Sequence, residues 1–344
     1  MTGREIAQMA FDLKKPPRVP VTLIGGGGWA VQYAGKKFGE IKNDPRQIAD
    51  SFIQFYNLFQ NDLIWAGSNF LDYPTHFLGC PIKDDSADSP TLEGTVIQNL
   101  DEIGRLSIEK VLQHPTMQAI IRSHHLVADA IGKKTMIAST QYAPFTLTAR
   151  ILGMEALLIA TLQEPGKISR LIQFAADLIW AILEPILEHP DIPGANLCDP
   201  VASGDVVSPS TFRKFSAPAT RQLVERVRAK KKYAMVHVCG DSTRVLNDVL
   251  EIRPHAFSLE NKVDLKVARK ILGGKVCVAG NVSPTGAFLS GTPEQVRAEA
   301  QACLDAWGDE GGYILTVGCD FPKNVPLENM KALMSFKPND GMPV

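Results

Sequence analysis

Eight short apolar segments recur along this chain of 344 residues, and each is followed by a loop and then by a helical pattern. Strands that alternate with helices in this way form a parallel sheet. Eight of them predict a closed (β/α)8 barrel, with an open, doubly wound sheet as the main alternative. The eight predicted strands are Val19–Ile24, Asp62–Trp65, Lys134–Ala138, Gly194–Leu197, Tyr233–Gly240, Ala256–Leu259, Lys275–Ala279 and a segment from Ile314 to Cys319.

The predicted barrel accounts for the chain as one domain, residues 1–344, with two additions. Residues 1–17 hold an N-terminal helix, because Thr2 and Glu5 have the spacing of a capping box before an amphipathic stretch. Residues 70–133 form a long excursion after the second strand. Its polar segment 84–90 predicts a surface hairpin over the barrel mouth.

Charge and composition exclude several classes of partner. The formal net charge is −1, which gives no electrostatic basis for binding nucleic acid or an anionic membrane surface. No apolar run approaches the ~20 residues that cross a bilayer, and the N-terminus lacks the pattern of a secretion signal. Six scattered cysteines without a disulfide framework are typical of reduced thiols. We therefore expect a cytoplasmic protein.

The strand that contains His237 and Cys239 is the most informative part of the chain. Residues two apart on a strand point to the same face, so this imidazole and this thiol lie side by side. Cys319 ends the eighth strand, Glu260 follows the sixth, and Cys198 follows the fourth. The carboxyl ends of barrel strands share one face. Three protein ligands with an open fourth position are the pattern of catalytic zinc. A buried thiol beside a core histidine is the alternative for the His-x-Cys pair alone.

With these residues in view, the sequence resembles the zinc-dependent corrinoid methyltransferases of the uroporphyrinogen decarboxylase superfamily. The resemblance runs from the N-terminal helix to about Lys337, and its His-x-Cys…Cys spacing is specific to the methyltransferase branch. The matching segments are Arg18–Val21, Tyr142–Leu147, Leu197–Pro200, Val207–Pro209, His237–Gly240, Gly280–Asn281, Gly291–Glu294, Gly312–Leu315, Gly318–Cys319 and Pro326–Asn329.

The resemblance implies a uroporphyrinogen decarboxylase-like TIM barrel with zinc held by His237, Cys239 and Cys319. In relatives a carboxylate can take the fourth position when substrate is absent, and Glu260 matches it by location. Decarboxylase activity itself is not expected, because the loop Gly25–Gly28 has no cation for substrate carboxylates. No corrinoid-binding signature of the Asp-x-His-x-x-Gly kind occurs, so the corrinoid (cobalamin) is expected on a partner protein.

Two kinds of methyl transfer are open to such a zinc ion. It can bind a thiol and present a thiolate to methyl-cobalt, or it can polarise a methyl donor while Co(I) removes the methyl group. The strand-end loops contain no Arg or Lys, and the nearest are Lys262 and Lys323. A sulfonate such as that of coenzyme M normally needs a charged donor, although the amides of Gly25–Gly28 can also bind an anion.

The sequence therefore favours O-demethylation of a methoxylated aromatic, with the methyl group delivered to Co(I). The residues expected to bind this donor are Trp29, Trp65, Asn69, Tyr142 and Phe145. The predicted catalytic residues are Glu260, Tyr142, Asp199 and Asn281, of which the last three orient or protonate the leaving group. Methyl transfer from a methyl-corrinoid to coenzyme M or another thiol is the first alternative. A non-catalytic zinc-barrel protein that binds a ligand or corrinoid is the second, and a homodimer is left open.

Overall fold

A computed structural model describes residues 1–85 and 89–337, and seven of its strands form one parallel sheet. The sheet order is β1-β4-β5-β6-β7-β8-β9, so consecutive strands of the sheet follow one another along the chain. The strands are β1 (Leu63–Ala66), β2 (Ile82–Lys83), β3 (Thr91–Leu92), β4 (Met136–Tyr142), β5 (Gly194–Cys198), β6 (Tyr233–Val238), β7 (Ala256–Leu259), β8 (Cys277–Val282) and β9 (Tyr313–Val317).

The segment predicted as the first strand, Val19–Ile24, closes the sheet on itself. On one side, Leu315 N of β9 donates to Pro20 O (2.9 Å) and Thr22 N donates to Leu315 O (3.1 Å). On the other side, Asp62 N, next to β1, donates to Val21 O (3.2 Å). The segment therefore fills the eighth position between β9 and β1, and the predicted (β/α)8 barrel is confirmed.

This closing segment is not a regular strand, and in that detail the prediction is wrong. Only Val21 forms a bridge, to Leu315. Side chains accept the hydrogen bonds of the neighbouring amides: Asp62 Oδ2 from Val21 N (2.8 Å), Asn61 Oδ1 from Leu23 N (3.0 Å) and Thr316 Oγ1 from Ile24 N (3.2 Å). These backbone groups are paired without a ladder, because buried amides need only an acceptor, not another strand.

Helices follow the strands, as a parallel sheet requires. Among the described residues no single helix is long and apolar enough to cross a membrane, and one bent pair (α8 and α9, 108°) meets those criteria only when taken together. A π-turn at Phe212–Ser216 joins α11 to α12, and 3-10 turns span Leu100–Arg105, Pro200–Ala202 and Thr243–Val245. The helices are α1 (Gly3–Phe11), α2 (Gly27–Tyr33), α3 (Phe38–Ile41), α4 (Pro45–Phe59), α5 (Tyr73–Leu78), α6 (Ile108–Leu112), α7 (Pro115–Ile131), α8 (Pro144–Leu152), α9 (Met154–Gln163), α10 (Pro165–Leu187), α11 (Pro209–Thr211), α12 (Ala217–Ala229), α13 (Leu246–Ile252), α14 (Leu265–Leu272), α15 (Ala287–Ser290), α16 (Pro293–Trp307) and α17 (Leu327–Met334).

The N-terminal helix α1 packs at the amino-terminal end of the strands. Its capping box joins Thr2 and Glu5 through two hydrogen bonds, of 2.7 and 3.2 Å. Arg4 on α1 donates to Asp191 Oδ1 (2.6 Å) and to Gly132 O (2.8 Å), and both of these residues precede a strand. The helix therefore lies at the opposite end of the barrel from the predicted site.

The excursion after β1 carries the antiparallel pair β2–β3. Residues 86–88 of the predicted hairpin lie outside the described residues. Ser89, the next residue along the chain, accepts a hydrogen bond at its Oγ from Asn69 Nδ2 (2.6 Å). A Cβ on Gly27 would lie 1.9 Å from Asn69 Oδ1, so Asn69 lies directly against the start of α2. This part of the excursion contacts loops at the carboxyl end of the barrel.

The register of the sheet positions the interior of the site. Cys198 of β5 pairs with His237 of β6, which pairs with Ser258 of β7. Directly paired residues of a parallel sheet point to the same face. His237 is 2% exposed and Ser258 is fully buried, so these side chains form one row across three adjacent strands.

Candidate metal centre

His237, Cys239 and Cys319 come together at the carboxyl end of the barrel. His237 is the penultimate residue of β6, Cys239 directly follows β6, and Cys319 follows β9 by two residues. His237 Nε2 is 3.1 Å from Cys239 Sγ and 3.6 Å from Cys319 Sγ, and the two sulfur atoms are 3.6 Å apart. One nitrogen and two sulfur atoms therefore form a compact triangle of potential metal ligands.

The triangle has dimensions that fit a zinc ion. Zinc–sulfur bonds of about 2.3 Å in a tetrahedron place two sulfur ligands about 3.8 Å apart. The observed sulfur–sulfur distance of 3.6 Å is close to that value. The hydrogen bond from Cys239 and the neighbouring His237 imidazole lower the pKa of Cys319 below its ordinary value, although burial opposes them. One thiolate of the pair thus forms readily, and thiolate is the form that binds metal.

Ser258 fixes the orientation of the histidine. His237 Nδ1 lies 3.0 Å from Ser258 Oγ, and the two residues are cross-strand neighbours. When Nδ1–H donates to this hydroxyl, Nε2 keeps its lone pair directed at the two sulfur atoms. Partners of this kind fix the tautomer and the ring plane of a histidine ligand.

We expect Ser258→Ala to weaken zinc binding about 10- to 100-fold, the usual effect of losing such a partner of a histidine ligand. The measurement is a competition titration with a zinc chelator. Ser139→Ala is the matched control, because Ser139 is also a fully buried strand serine but its hydroxyl has no hydrogen-bond partner within residues 1–85 and 89–337. Equal zinc affinity in both variants would show that Ser258 does not position the imidazole.

Glu260 lies beside the triangle rather than in it. The group of ligand atoms that lie within 4.8 Å of one another does not include a carboxylate oxygen of Glu260. One of its oxygens instead accepts a hydrogen bond from Gly240 N, directly after Cys239. Asn281 Nδ2 donates to Glu260 O (3.1 Å) and Val263 O (2.8 Å), so Asn281 holds the turn that carries Glu260. A role for Glu260 as fourth ligand stays a prediction, and Asn281 is placed as a supporting residue.

Asp199 does not take the position predicted for it. Its Oδ1 accepts hydrogen bonds from Thr146 N (3.1 Å) and Thr146 Oγ1 (2.6 Å), and its Oδ2 accepts one from Ser216 Oγ (2.5 Å). The neighbouring Cys198 shares the interior face with His237, so Asp199 points to the other face, between helices. Asp199 ties β5 to α8 and to the π-turn, and this geometry does not support a role at the leaving group.

The five residues predicted to bind the substrate separate into two groups. Trp29 and Phe145 are core residues: Trp29 packs on Phe55 and Phe59 and donates its indole N–H to Val325 O (3.1 Å), and Phe145 is fully buried. Three others lie at the carboxyl end. The Trp65 ring contacts the His237 ring edge-on, with 5.6 Å between the ring centres, and the buried indole N–H of Trp65 has no partner among the described residues. Asn69 donates a hydrogen bond to Ser89, and Tyr142 is in register with Cys198.

The glycine loop holds a carboxylate of the protein itself. Gly26 N donates to Asp320 Oδ1 (2.7 Å), next to Cys319. Burial raises the pKa of Asp320 to about 6. A Cβ on Gly25 (φ +76°) would lie 2.1 Å from the same oxygen, so this position requires glycine. The Gly26 amide, which the sequence offered for a substrate anion, is already paired with Asp320.

Sequence reasoning missed one cation at this end of the barrel, Arg150. Its Nε and Nη2 donate to Asp72 Oδ1 (2.8 Å) and Oδ2 (2.5 Å), and its guanidinium carbon is 5.8 Å from the centre of the Tyr142 ring. Burial and the charge of Asp72 raise the pKa of Tyr142, so its phenol stays protonated. The only sequence signal was an arginine on the helix after β4, eight residues beyond the strand end.

Comparisons with known proteins find similar methyltransferases. The sequence is 26% identical over 337 residues to a methylcobamide:CoM methyltransferase (MtaA) of Methanosarcina barkeri, covering 95% of each chain. It is 27% identical to a methylated-thiol–coenzyme M methyltransferase of Methanosarcina mazei, covering 74% of this chain and 66% of that one. These relatives confirm the resemblance to corrinoid methyltransferases.

The fold has a close counterpart among solved structures. A methyltransferase from Methanosarcina mazei superposes with a TM-score of 0.87, at 20% identity and over 98% of each chain. Residues 2–337 match the family described as uroporphyrinogen decarboxylase (URO-D). The match covers nearly the whole chain, and the chain therefore belongs to the uroporphyrinogen decarboxylase family.

Proposed function

We propose that this protein is a zinc-dependent, corrinoid-dependent methyltransferase that transfers a methyl group from the methyl-cobalt of a corrinoid protein to a small-molecule thiol. The observation that carries the proposal is the triangle of His237 Nε2 and two cysteine sulfur atoms, 3.1 to 3.6 Å apart. Relatives over most of the chain are named for methyl transfer to coenzyme M, which supports a thiol as acceptor.

The proposed ligand set leaves one position on zinc for a substrate. Three protein ligands leave a zinc ion one open position, and two thiolates balance its charge. Zinc bound there would lower the pKa of a substrate thiol and so supply a nucleophile at neutral pH. His237 is oriented by Ser258, and the Trp65 ring packs beside the imidazole. These contacts support a preorganised ligand set.

The reaction is a simple displacement. The thiolate sulfur forms a bond to the methyl carbon while the cobalt–carbon bond breaks. The electron pair of that bond stays on cobalt, so methyl-Co(III) and a thiolate give Co(I) and a thioether. The cobalt is proposed to arrive on a partner corrinoid protein over the carboxyl end of the strands, where Cys239 and Cys319 are partly exposed. A cytoplasmic location stays an expectation from the sequence.

O-demethylation of a methoxylated aromatic is less well supported than thiol methylation. That hypothesis depended on an aromatic, uncharged barrel mouth. Two of its aromatic residues, Trp29 and Phe145, are packed in the core, and Arg150 supplies a cation beside Tyr142. Trp65 and Tyr142 are the residues that could still contact an aromatic donor.

The proposal is tested by anaerobic visible spectroscopy of methylcobalamin with the zinc-loaded protein and 2-mercaptoethanesulfonate. We expect loss of the methyl-Co(III) spectrum and appearance of Co(I), dependent on both protein and thiol. No reaction with thiols, together with formation of methyl-Co(III) from Co(I) and a methoxybenzoate, would replace the proposal with O-demethylation. No reaction in either direction would favour a non-catalytic binding protein.

A further inference from the structure

Arg150 is a partly exposed cation at the carboxyl end of the barrel, where the proposed thiol substrate would bind. It lies on α8, and α8 packs against the carboxyl end of β5: Ala143 N donates to Cys198 O (2.7 Å) and Val201 N donates to Thr146 Oγ1 (3.1 Å). The helix is therefore at the same end of the barrel as the metal centre. The Arg150 side chain is 36% exposed, whereas its partner Asp72 is 7% exposed.

The hydrogen bonds of Arg150 to Asp72 leave three of its five N–H donors unused. A guanidinium has five N–H donors, and the contacts with Asp72 use one on Nε and one on Nη2. Within the described part of the chain, the remaining N–H groups on Nη1 and Nη2 have no hydrogen-bond acceptor. Those groups form a second edge of the same planar fork, which matches the two oxygen atoms of a carboxylate or sulfonate. Asp72 holds the fork in place.

The position of Arg150 suits the far end of a short substrate. Its guanidinium lies against the Tyr142 ring, and Tyr142 is two strands away from His237 through Cys198. Two strand spacings correspond to about 10 Å between backbones. Tyr142 and His237 point to the same interior face, so the gap between their side chains is shorter than the backbone spacing and is of a size for a linker of two or three carbons. A thiol at the metal centre would then place its other end near Arg150.

We infer that Arg150 is the specificity-determining residue that binds the anionic head group of the thiol substrate, a sulfonate or carboxylate. This inference rests on the proposed function and names its substrate class: a short thiol with a negative charge at its far end. Asp72 and Tyr142 act as positioning residues, because they hold the guanidinium by a two-point ion pair and by contact with the ring.

The test compares an anionic thiol with a neutral thiol of similar length. The substrates are 2-mercaptoethanesulfonate and 2-mercaptoethanol, with methylcobalamin as methyl donor. In Arg150→Gln, kcat/KM for the sulfonate is expected to fall about 10- to 100-fold more than kcat/KM for the neutral thiol, because only the sulfonate loses hydrogen bonds between charged groups. Arg150→Lys keeps the charge but not the planar fork, so its selective loss of kcat/KM is expected to be smaller than that of Arg150→Gln.

Two controls separate a binding role from a structural one. Arg213→Gln removes another arginine held by a carboxylate, Asp248 (2.7 Å), on the outer wall, and is expected to leave both substrates unaffected. The double variant Asp72→Asn/Arg150→Gln removes the pair without leaving an uncompensated carboxylate, and is expected to show the same selective loss. Equal losses for both thiols, or no loss, would overturn the assignment of Arg150.

Calorimetry of 2-mercaptoethanesulfonate binding to the zinc-loaded protein separates a failure of this inference from a failure of the proposed function. If the wild type binds the thiol without transferring the methyl group, the proposed reaction fails. The role of Arg150 is then still decided by whether Arg150→Gln weakens that binding by the same factor. If the variant binds as tightly as the wild type, the inference fails whatever the turnover shows.

Discussion

Cys239→Ala is expected to remove bound zinc and thiol methylation together. Its sulfur is 3.1 Å from His237 Nε2 and 3.6 Å from Cys319 Sγ, so it is one vertex of the ligand triangle. Without it only two of the three triangle ligands remain, fewer than a zinc site requires. Zinc content should drop from about one ion per chain to near zero, and activity by at least about 1,000-fold, since metal stabilisation amounts to several kcal/mol.

Cys277→Ala is the matched control for this prediction. Cys277 is also a strand cysteine and is fully buried in β8, where it pairs in register with Ala256, but it lies outside the ligand triangle. The control should keep its zinc and its activity at a small cost in stability. Measured by atomic emission and by the methylcobalamin assay, full zinc content and turnover in Cys239→Ala would contradict the assignment of the metal centre.

Asp62→Ala is expected to give the largest loss of stability. The Asp62 side chain is fully buried where the barrel closes. It accepts two hydrogen bonds from Arg18 (2.6 and 2.9 Å), one from Val21 N (2.8 Å), and lies 3.1 Å from Lys337 Nζ. Removing one partner of a buried ion pair leaves uncompensated charge, so the free energy of unfolding should fall by about 3–5 kcal/mol.

Denaturant unfolding of the zinc-loaded protein measures this effect. Asp309→Ala is the control, because Asp309 forms an ion pair of the same length with Lys15 (2.6 Å) but its side chain is 88% exposed. Exposed ion pairs are screened by water and contribute little, so this variant should unfold like the wild type. If both variants unfold alike, Asp62 does not hold the closing segment against β1.

Much of the fold was predictable because its signal is periodic. Alternating strand and helix patterns and the right-handed connections of parallel sheets leave few arrangements other than a barrel. The closing segment Val19–Ile24 has the same apolar composition as a strand. That its amides pair with the side chains of Asp62, Asn61 and Thr316 depends on residues distant in sequence, which no local pattern reveals.

The site was predictable only where strand geometry decides it. His237 and Cys239 share a face because they are two residues apart, and Cys319 follows another strand at the same end. The position of Asp199 depended on the register of β5 against β6, which places Cys198 and not Asp199 beside His237. Arg150 was missed because its distance from the site depends on how α8 packs, not on its distance along the chain.

Zinc K-edge X-ray absorption of the zinc-loaded protein, recorded with and without 2-mercaptoethanesulfonate, tests the central claim most directly. The claim is that His237, Cys239 and Cys319 hold a metal ion with one position open to a thiol. We expect two sulfur neighbours at about 2.3 Å in the resting protein and three after the thiol is added. A sulfur count that stays at two when the thiol is present would contradict thiol activation at this centre.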